Sequence, residues 1–272
     1  MPFERAADLP SYEQPPVNEV AVGIGYKRLR CWDSVAPGEF RKLVLERYPK
    51  VEEQAPLAPL PPALGANLEM ELTDLPPIRR TWYLSDDERT LIQIQEDRIH
   101  VNWRRVQEAD VYPRYGHVLA EFESALKALE RFAAERGEQI NVTAGEVTYV
   151  NHIAEGELWS EWNDLSGVLA DWCPTPKQVS GIAGLAATIS MNSVDSHGLV
   201  SPGHYMSLEL KSAQRQNDQA KVLVFQLVNR GPVESTQFES IREWCGRASE
   251  DIVRGFTALT TERAHQLWRR IR

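Results

Sequence analysis

The sequence predicts an α+β fold in which a mainly antiparallel β-sheet packs against two long helices. Three observations predict this class: runs of strictly alternating apolar and polar residues, two long stretches with apolar residues at helical spacing, and no regular alternation of strands with helices. The last observation argues against a doubly wound parallel sheet, in which a crossover helix separates successive strands. At 272 residues the chain is long enough to bury a substantial core.

The clearest strand pair is predicted at 90–95 and 98–104. The sequence from Leu91 to Arg104 reads LIQIQEDRIHVNWR, in which Glu96-Asp97 forms a short polar turn between two alternating runs. This pattern is typical of a β-hairpin with one buried face. The other face supplies a candidate binding set: Gln93, Gln95, Arg98, His100, Asn102 and Arg104.

Amides and imidazole can form buried hydrogen bonds without the cost of burying a full charge. We therefore expect at least two of Gln93, Gln95, His100 and Asn102 to be buried against a helix, a chain segment or a partner. The two arginines of the same face, Arg98 and Arg104, are expected toward its rim.

Two long helices are predicted at about 115–136 and 236–259. Each carries apolar residues along one face, and Gly137 supplies a C-terminal cap for the first. A shorter helix is predicted between Pro37 and Pro49. A final helix at 262–270 is expected to begin from a Thr261 cap.

The order of elements repeats after residue 137, which predicts a duplicated strand-helix-strands-helix unit. We expect an N-terminal tail at 1–14, a first α+β half at 15–137 and a second at 138–272, the two halves forming one compact unit. The remaining strands are predicted near 18–26, 68–75, 80–85, 140–153, 179–191, 205–211 and 221–228.

Glycines and prolines mark two further features. Gly23 and Gly25 occupy the face of strand 18–26 opposite its apolar residues, which suggests that another backbone, most often a helix, approaches closely there. The proline-rich segment 50–65 is interpreted as a rigid internal connector, although it superficially resembles a ligand for an aromatic-groove module.

Composition and charge argue against several classes of partner and compartment. The net charge of −9 argues against generic binding to nucleic acid or to anionic membranes. The three cysteines are far apart and form no C-x-x-C pair, which fits reduced thiols. The N-terminus lacks the apolar core of a signal peptide, and no run is long enough to span a membrane. We expect a cytoplasmic protein without a membrane partner.

The chain contains no catalytic, cofactor or metal signature. The six histidines include no H-x-x-x-H pair, and Gly23-Ile24-Gly25 lies inside a strand and lacks the third glycine of a dinucleotide fingerprint. Asp195-Ser196-His197 is interpreted as a turn, because adjacent loop residues do not form a catalytic triad. No catalytic residue, cofactor or metal ligand is therefore predicted.

Tryptophan is abundant, with eight in the chain. Three of them, Trp159, Trp162 and Trp172, fall in the irregular segment 154–178. They either plug one end of the core or form an interface for a partner, since tryptophan is enriched at binding hot spots. Burial distinguishes these two alternatives.

Six segments stand out in chain order: PPVNEVAVGIGY, RYPKVEEQAPL, RTWYLSDDERTLIQIQEDRIHVNWR, YPRYGHVLAEFESALKALERF, GEVTYVNHI and FTALTTERAHQLW. Together they span nearly the whole chain and resemble a family of uncharacterised, sporadically distributed prokaryotic proteins of similar length. One departure is Ala264-His265, where such proteins tend to carry Met-His. The resemblance implies no activity and no site residues. The patchy distribution implies accessory or mobile genes, and so phage-defence or toxin–antitoxin modules by association.

Three function classes remain open. We expect a non-catalytic interaction or regulatory protein, an accessory component of a mobile or phage-defence-type module, whose partner is another protein or a second copy of the chain. The alternative is a protein that binds a small molecule or nucleotide signal, which a deep pocket at Gln93, His100 and Asn102 would favour. The second alternative is an enzyme of unrecognised class, which would need a histidine, a carboxylate and a nucleophile in one cleft.

Overall fold

A computed structural model of the chain describes residues 6–58, 78–171, 182–194, 200–215 and 219–272. Within these ranges the chain forms nine strands and four helices. In chain order they are β1 (Val17–Tyr26), α1 (Ala36–Val44), β2 (Lys50–Gln54), β3 (Arg80–Leu84), β4 (Thr90–Gln95), β5 (Arg98–Arg104), α2 (Tyr115–Ala134), β6 (Val142–Ala154), β7 (Ala186–Val194), β8 (Val200–Gln214), β9 (Lys221–Gly231), α3 (Phe238–Leu259) and α4 (Glu262–Leu267).

All nine strands belong to one antiparallel sheet. Its order is β2-β3-β4-β5-β1-β6-β9-β8-β7, and every neighbouring pair is antiparallel. The predicted α+β class with a mainly antiparallel sheet is confirmed.

The strand order is the same on both sides of the central β1–β6 pair. Outward from β1 come β5, β4 and β3, and outward from β6 come β9, β8 and β7. Each half thus pairs its first strand with the last strand of a three-stranded meander, and a helix follows, α2 after β5 and α3 after β9. This order has the form of the repeat expected from the sequence, with β2 as an additional edge strand of the first half.

The helices α2 and α3 pack on the same sheet. They span 20 and 22 residues; α2 contacts β1 and β5, and α3 contacts β6 and β9. Tyr115 Oη donates to the Cys245 carbonyl at 2.7 Å and joins the two helices, and Trp244 lies over Gly145 of β6. Gly137 has φ of 73°, which is the left-handed conformation of the expected C-terminal cap.

The helix side of the sheet is mostly apolar. The predicted hairpin is confirmed, because β4 pairs with β5 from Thr90↔Trp103 to Gln95↔Arg98. Its alternating residues Ile92, Ile94, Ile99 and Val101 are fully buried. Burying one such side chain stabilises the fold by roughly 1.5–3 kcal/mol, so this face alone fixes which side of the hairpin meets the helices.

Several boundaries differ from the sequence expectations. Residues 50–54, expected to begin the connector, form strand β2 on β3, because the outer edge of β3 otherwise has unpaired backbone groups. The rest of the connector beyond residue 58 and the strand expected near 68–75 lie outside the described residues. The strand expected at 179–191 begins only at Ala186, its first three residues also lying outside the described residues. The Thr261 cap is confirmed: its side chain accepts from Ala264 N at 3.2 Å.

The N-terminal segment is ordered by contact with the C-terminus from residue 6 onward. Glu13 N donates to the Arg269 carbonyl at 3.0 Å, and Ile271 N donates to the Ser11 carbonyl at 2.8 Å. Tyr12 is buried and its ring packs edge-on against Phe256. The segment 6–14 is therefore attached to the fold on its helix side.

Candidate functional site

The sheet face opposite the helices carries a row of mostly polar side chains that crosses seven strands. Because paired residues in antiparallel strands point to the same face, the strand register places these side chains beside one another. We call this set the polar row. From β3 to β8 it consists of Trp82, Gln93, His100, Gly23, Glu146, Arg230 and Tyr205.

Gly23 makes room for the His100 ring at the centre of the polar row. A methyl group at Gly23 would overlap the imidazole and lie 2.5 Å from the Ile99 carbonyl oxygen. The expectation that this glycine marks a close approach is correct, but the expectation of a helix is wrong. The approaching group is a side chain of the neighbouring strand, since α2 and α3 cover the other face.

His100 reaches across Gly23 to a buried ion pair. Its Nε2 donates to Glu146 Oε1 at 3.1 Å, and Arg230 Nε donates to Glu146 Oε2 at 2.7 Å. Arg230 Nη1 also donates to the Tyr205 hydroxyl at 3.0 Å. Burial by itself raises the pKa of Glu146, but the hydrogen bond from His100 and the ion pair with Arg230 outweigh it and lower the pKa to about 2.

The β3–β5 end of the polar row continues as a chain of amides. Gln93 accepts from Trp82 Nε1 at 3.0 Å and from Arg80 Nη1 at 2.8 Å. It donates to Asn102 Oδ1 at 2.8 Å, and Asn102 donates to Glu19. Burial raises the pKa of Glu19, and the hydrogen bond from Asn102 opposes this rise.

The other end of the hairpin lies beneath the chain segment 55–58. Gln95 accepts from Leu57 N at 3.0 Å and donates to the Leu57 carbonyl at 3.1 Å, and Arg98 donates to the Ala58 carbonyl. Arg98 is only 4% exposed, so its expected position at the rim is wrong. The guanidinium donates to the Ala58 carbonyl and lies 3.3 Å from the Asp97 carboxylate. These two partners replace the water that an exposed arginine would bind.

The structure brings together part of the predicted binding set. Gln95, His100 and Asn102 are buried, which confirms the expected burial of at least two of the four. Gln93, His100 and Asn102 share the polar network. Arg104 is partly exposed and donates to the Glu88 carbonyl at 2.9 Å. The guanidinium groups of Arg104 and Arg80 both lie over the Trp82 ring.

The sequence reasoning missed the partners of this set on other strands. They are Glu19, Arg80, Trp82, Glu146, Tyr205 and Arg230. Glu19 and Glu146 do alternate with apolar neighbours in their strands, which was an available signal. Their pairing with the hairpin depends on strand order, which no local pattern contains.

Two of the three tryptophans of the irregular segment, Trp159 and Trp162, are buried. Trp159 and Trp162 are 4% and 6% exposed, and their ring centroids are 4.5 Å apart. Trp159 Nε1 donates to the Ile153 carbonyl at 3.3 Å. These two residues therefore belong to the core at the end of β6, whereas Trp172 lies outside the described residues.

A small pocket lies on the helix side beneath the N-terminal segment. Its wall includes Tyr12, Tyr112, Arg114, Tyr149 and Asn151, and its volume is about 60 Å³. One water needs about 10–15 Å³ of such a cavity, so the enclosed part of the pocket has room for a few waters. It also lies on the opposite face of the sheet from the predicted binding set.

Among the described residues, the polar row does not place a nucleophile beside His100. His100 has Glu146 as a carboxylate partner, but no hydroxyl or thiol is hydrogen-bonded to its ring in the described part of the chain. Across the same residues, no group of three or more histidine, cysteine or acidic side chains is arranged to hold a metal ion. No helix among them is long and apolar enough to cross a membrane.

No protein-family model and no curated protein matches this chain.

Proposed function

We propose that this is a non-catalytic interaction protein that binds a strand of a partner protein along β7. The observation that carries the proposal is the contrast between the two edges of the sheet. The edge strand β7 reads AATISMNSV and has no charged residue, whereas the opposite edge strand β2 reads KVEEQ and has three. Charged residues therefore oppose the addition of another strand at β2, whereas β7 has no charged residue to oppose it.

An edge strand exposes backbone N–H and C=O groups that can pair with another strand. Proteins usually block such edges with charges, proline or a bulge. In β7, the one register irregularity lies at the end, between Asn192 and Val194, so the strand is regular up to that point. Ile189 in its middle is 52% exposed. These features suit strand addition, in which backbone bonds supply affinity and side chains supply specificity.

The polar row supports the non-catalytic part of the proposal. Glu146 and Arg230 form an ion pair that His100 and Tyr205 complete. Each of these groups is occupied by a neighbour, which suits a structural network better than a site that must release and accept protons. Cys31 and Cys245 are free thiols, which supports the cytoplasmic setting expected from the sequence. An accessory role in a mobile or phage-defence-type module is the context that the family resemblance suggests.

The test compares two lysine substitutions on the two edges. Ile189→Lys and Val51→Lys each place a lysine at an exposed apolar position, 52% and 41% exposed, of an edge strand. The tagged full chain and both variants are purified from the native host, and the associated proteins, including untagged copies of the chain, are quantified by mass spectrometry. We expect an associated protein that Ile189→Lys loses and Val51→Lys retains. If no associated protein depends on β7, or both variants lose it equally, the proposal is wrong.

A small-anion binder is a second candidate, favoured by Arg80. Its Nε is buried without a hydrogen-bond partner among the described residues, and burial, with the nearby charge of Arg98, lowers the pKa of Arg80. A carboxylate or phosphate would satisfy Nε and offset the desolvation of the guanidinium. Thermal unfolding with inorganic phosphate tests this candidate, with Arg79→Gln as the control for Arg80→Gln. Phosphate should stabilise the parent chain and the control but not Arg80→Gln, and equal shifts in all three would reject it.

A further inference from the structure

The neutral edge has a second property, which is that its sequence is suited to pairing with itself. We infer that the partner strand is β7 of a second copy of this chain, so that two nine-stranded sheets join into one across a two-fold axis. This inference rests on the proposed function, because it names the occupant of the same edge.

Symmetry places a strict condition on such an edge. In an antiparallel pair the outward-facing backbone groups belong to every second residue, so directly opposed residues are separated by an even number of positions. When the two strands are identical, one residue must therefore lie opposite its own copy. A charge at that residue would lie directly opposite its own copy, which is destabilising, and a charge one position away would lie diagonally across from its own copy.

Only one described edge of the sheet meets this condition. In its register of greatest overlap, β2 would place Glu52, the centre of this five-residue strand, directly opposite its own copy. Nothing in β7 is charged, although 25% of the chain is. Because each copy carries a net charge of −9, a neutral contact is also where two copies repel least.

The register with the greatest overlap has Ser190 on the two-fold axis. Ile189 then faces Met191 of the second copy on the helix side of the sheet. Within one chain Ile189 pairs with Leu208, and Met191 pairs with Met206. The two-fold axis gives two such Ile189–Met191 contacts, which would continue the apolar pairs of β7 and β8 into the second copy and cover the exposed Ile189 side chain.

Opposite charges placed at Ser190 provide the decisive experiment. The molar mass of the full chain is measured by light scattering after gel filtration, where the dimer has about twice the 30.9 kDa of one chain. Ser190→Glu and Ser190→Lys should each give monomers, because the introduced charge meets its own copy. Mixing the two variants in equal amounts should restore the dimer, now with glutamate opposite lysine. Val51→Lys on the other edge should remain dimeric.

Each outcome decides the inference. A monomeric parent chain overturns it, as does a dimer that either Ser190 variant retains or a mixture that stays monomeric. Restoration in the mixture also shows that both variants are folded. The proposed function is judged separately. If the chain is monomeric but still binds another protein through β7, the proposed function is supported and the dimer is rejected. If the purified chain forms the β7 dimer but no protein in the host associates with it through β7, the dimer is supported and the proposed function is rejected.

Discussion

Gly23→Ala tests whether the centre of the polar row is as tightly packed as the structure indicates. The added methyl group would overlap the His100 ring and lie 2.5 Å from the Ile99 carbonyl oxygen. The imidazole must turn away, and it then loses its hydrogen bond to the buried Glu146. The substitution therefore combines overpacking with the loss of a hydrogen bond to a charged group.

The magnitude follows from these two effects and one smaller gain. Overpacking costs about 1–3 kcal/mol, the hydrogen bond contributes about 1.5–3 kcal/mol, and replacing glycine by alanine returns about 0.4–1 kcal/mol through the unfolded chain. The free energy of unfolding should fall by roughly 2–5 kcal/mol. Urea unfolding followed by the fluorescence of the eight tryptophans measures this change.

Two matched variants make the measurement specific. Gly38→Ala in α1 places a methyl group where no atom lies within 4 Å, so it should leave stability unchanged or raise it by up to about 1 kcal/mol. In a His100→Ala background, Gly23→Ala should cost at least about 1 kcal/mol less, because no ring has to move. If Gly23→Ala in the parent chain changed stability by less than about 0.5 kcal/mol, the packing described for His100 would be refuted.

Three further predictions concern the ion pair, the core and the helix contact. The pKa of Glu146 is lowered to about 2 from an ordinary value of 4.5, so the ionised carboxylate stabilises the fold above pH 4.5, and this stabilisation is lost as pH falls toward 2. The difference in free energy of unfolding between the parent chain and Glu146→Gln should therefore shrink over that range, as measured by unfolding at several pH values. Trp159→Ala should lower the free energy of unfolding by about 3–5 kcal/mol, whereas Val111→Ala, at an 80% exposed position, should change it by less than about 0.5 kcal/mol; similar values for the two would contradict the buried position of Trp159. Tyr115→Phe removes the hydrogen bond to the Cys245 carbonyl and should cost about 0.5–1.5 kcal/mol in the same assay, because that carbonyl lies within α3 and keeps its helical partner. An unchanged free energy of unfolding would contradict a stabilising contact between the two helices.

Local sequence patterns predicted the helices and strands but not the order of the strands in the sheet. The hairpin at 90–104 and the helix from Tyr115 were predictable because alternation and helical spacing record which face of each element is buried. The glycine at 23 signalled a close approach for a physical reason that proved correct. The identity of the approaching group was not predictable, because it depends on which strand lies beside β1.

The polar row shows most clearly where sequence reasoning ended. His100 bonds a residue 46 positions away, and Arg230 bonds the same carboxylate from 84 positions away. Neither separation is encoded in any local run, so Glu146 and Arg230 were absent from the predicted set. Arg98 was misplaced for a related reason, since the carbonyl that binds it belongs to the connector.

The pairing of the N-terminal segment with residues 268–272 has a consequence for the chain during its synthesis. Residues 11–14 emerge from the ribosome long before their hydrogen-bond partners at Trp268, Arg269 and Arg272 exist. Strand β1 likewise waits for β5 and then for β6. Domains tend to fold as units during translation, and here the apolar residues of β1 lack both neighbouring strands until β5 and then β6, which ends at Ala154, have been translated.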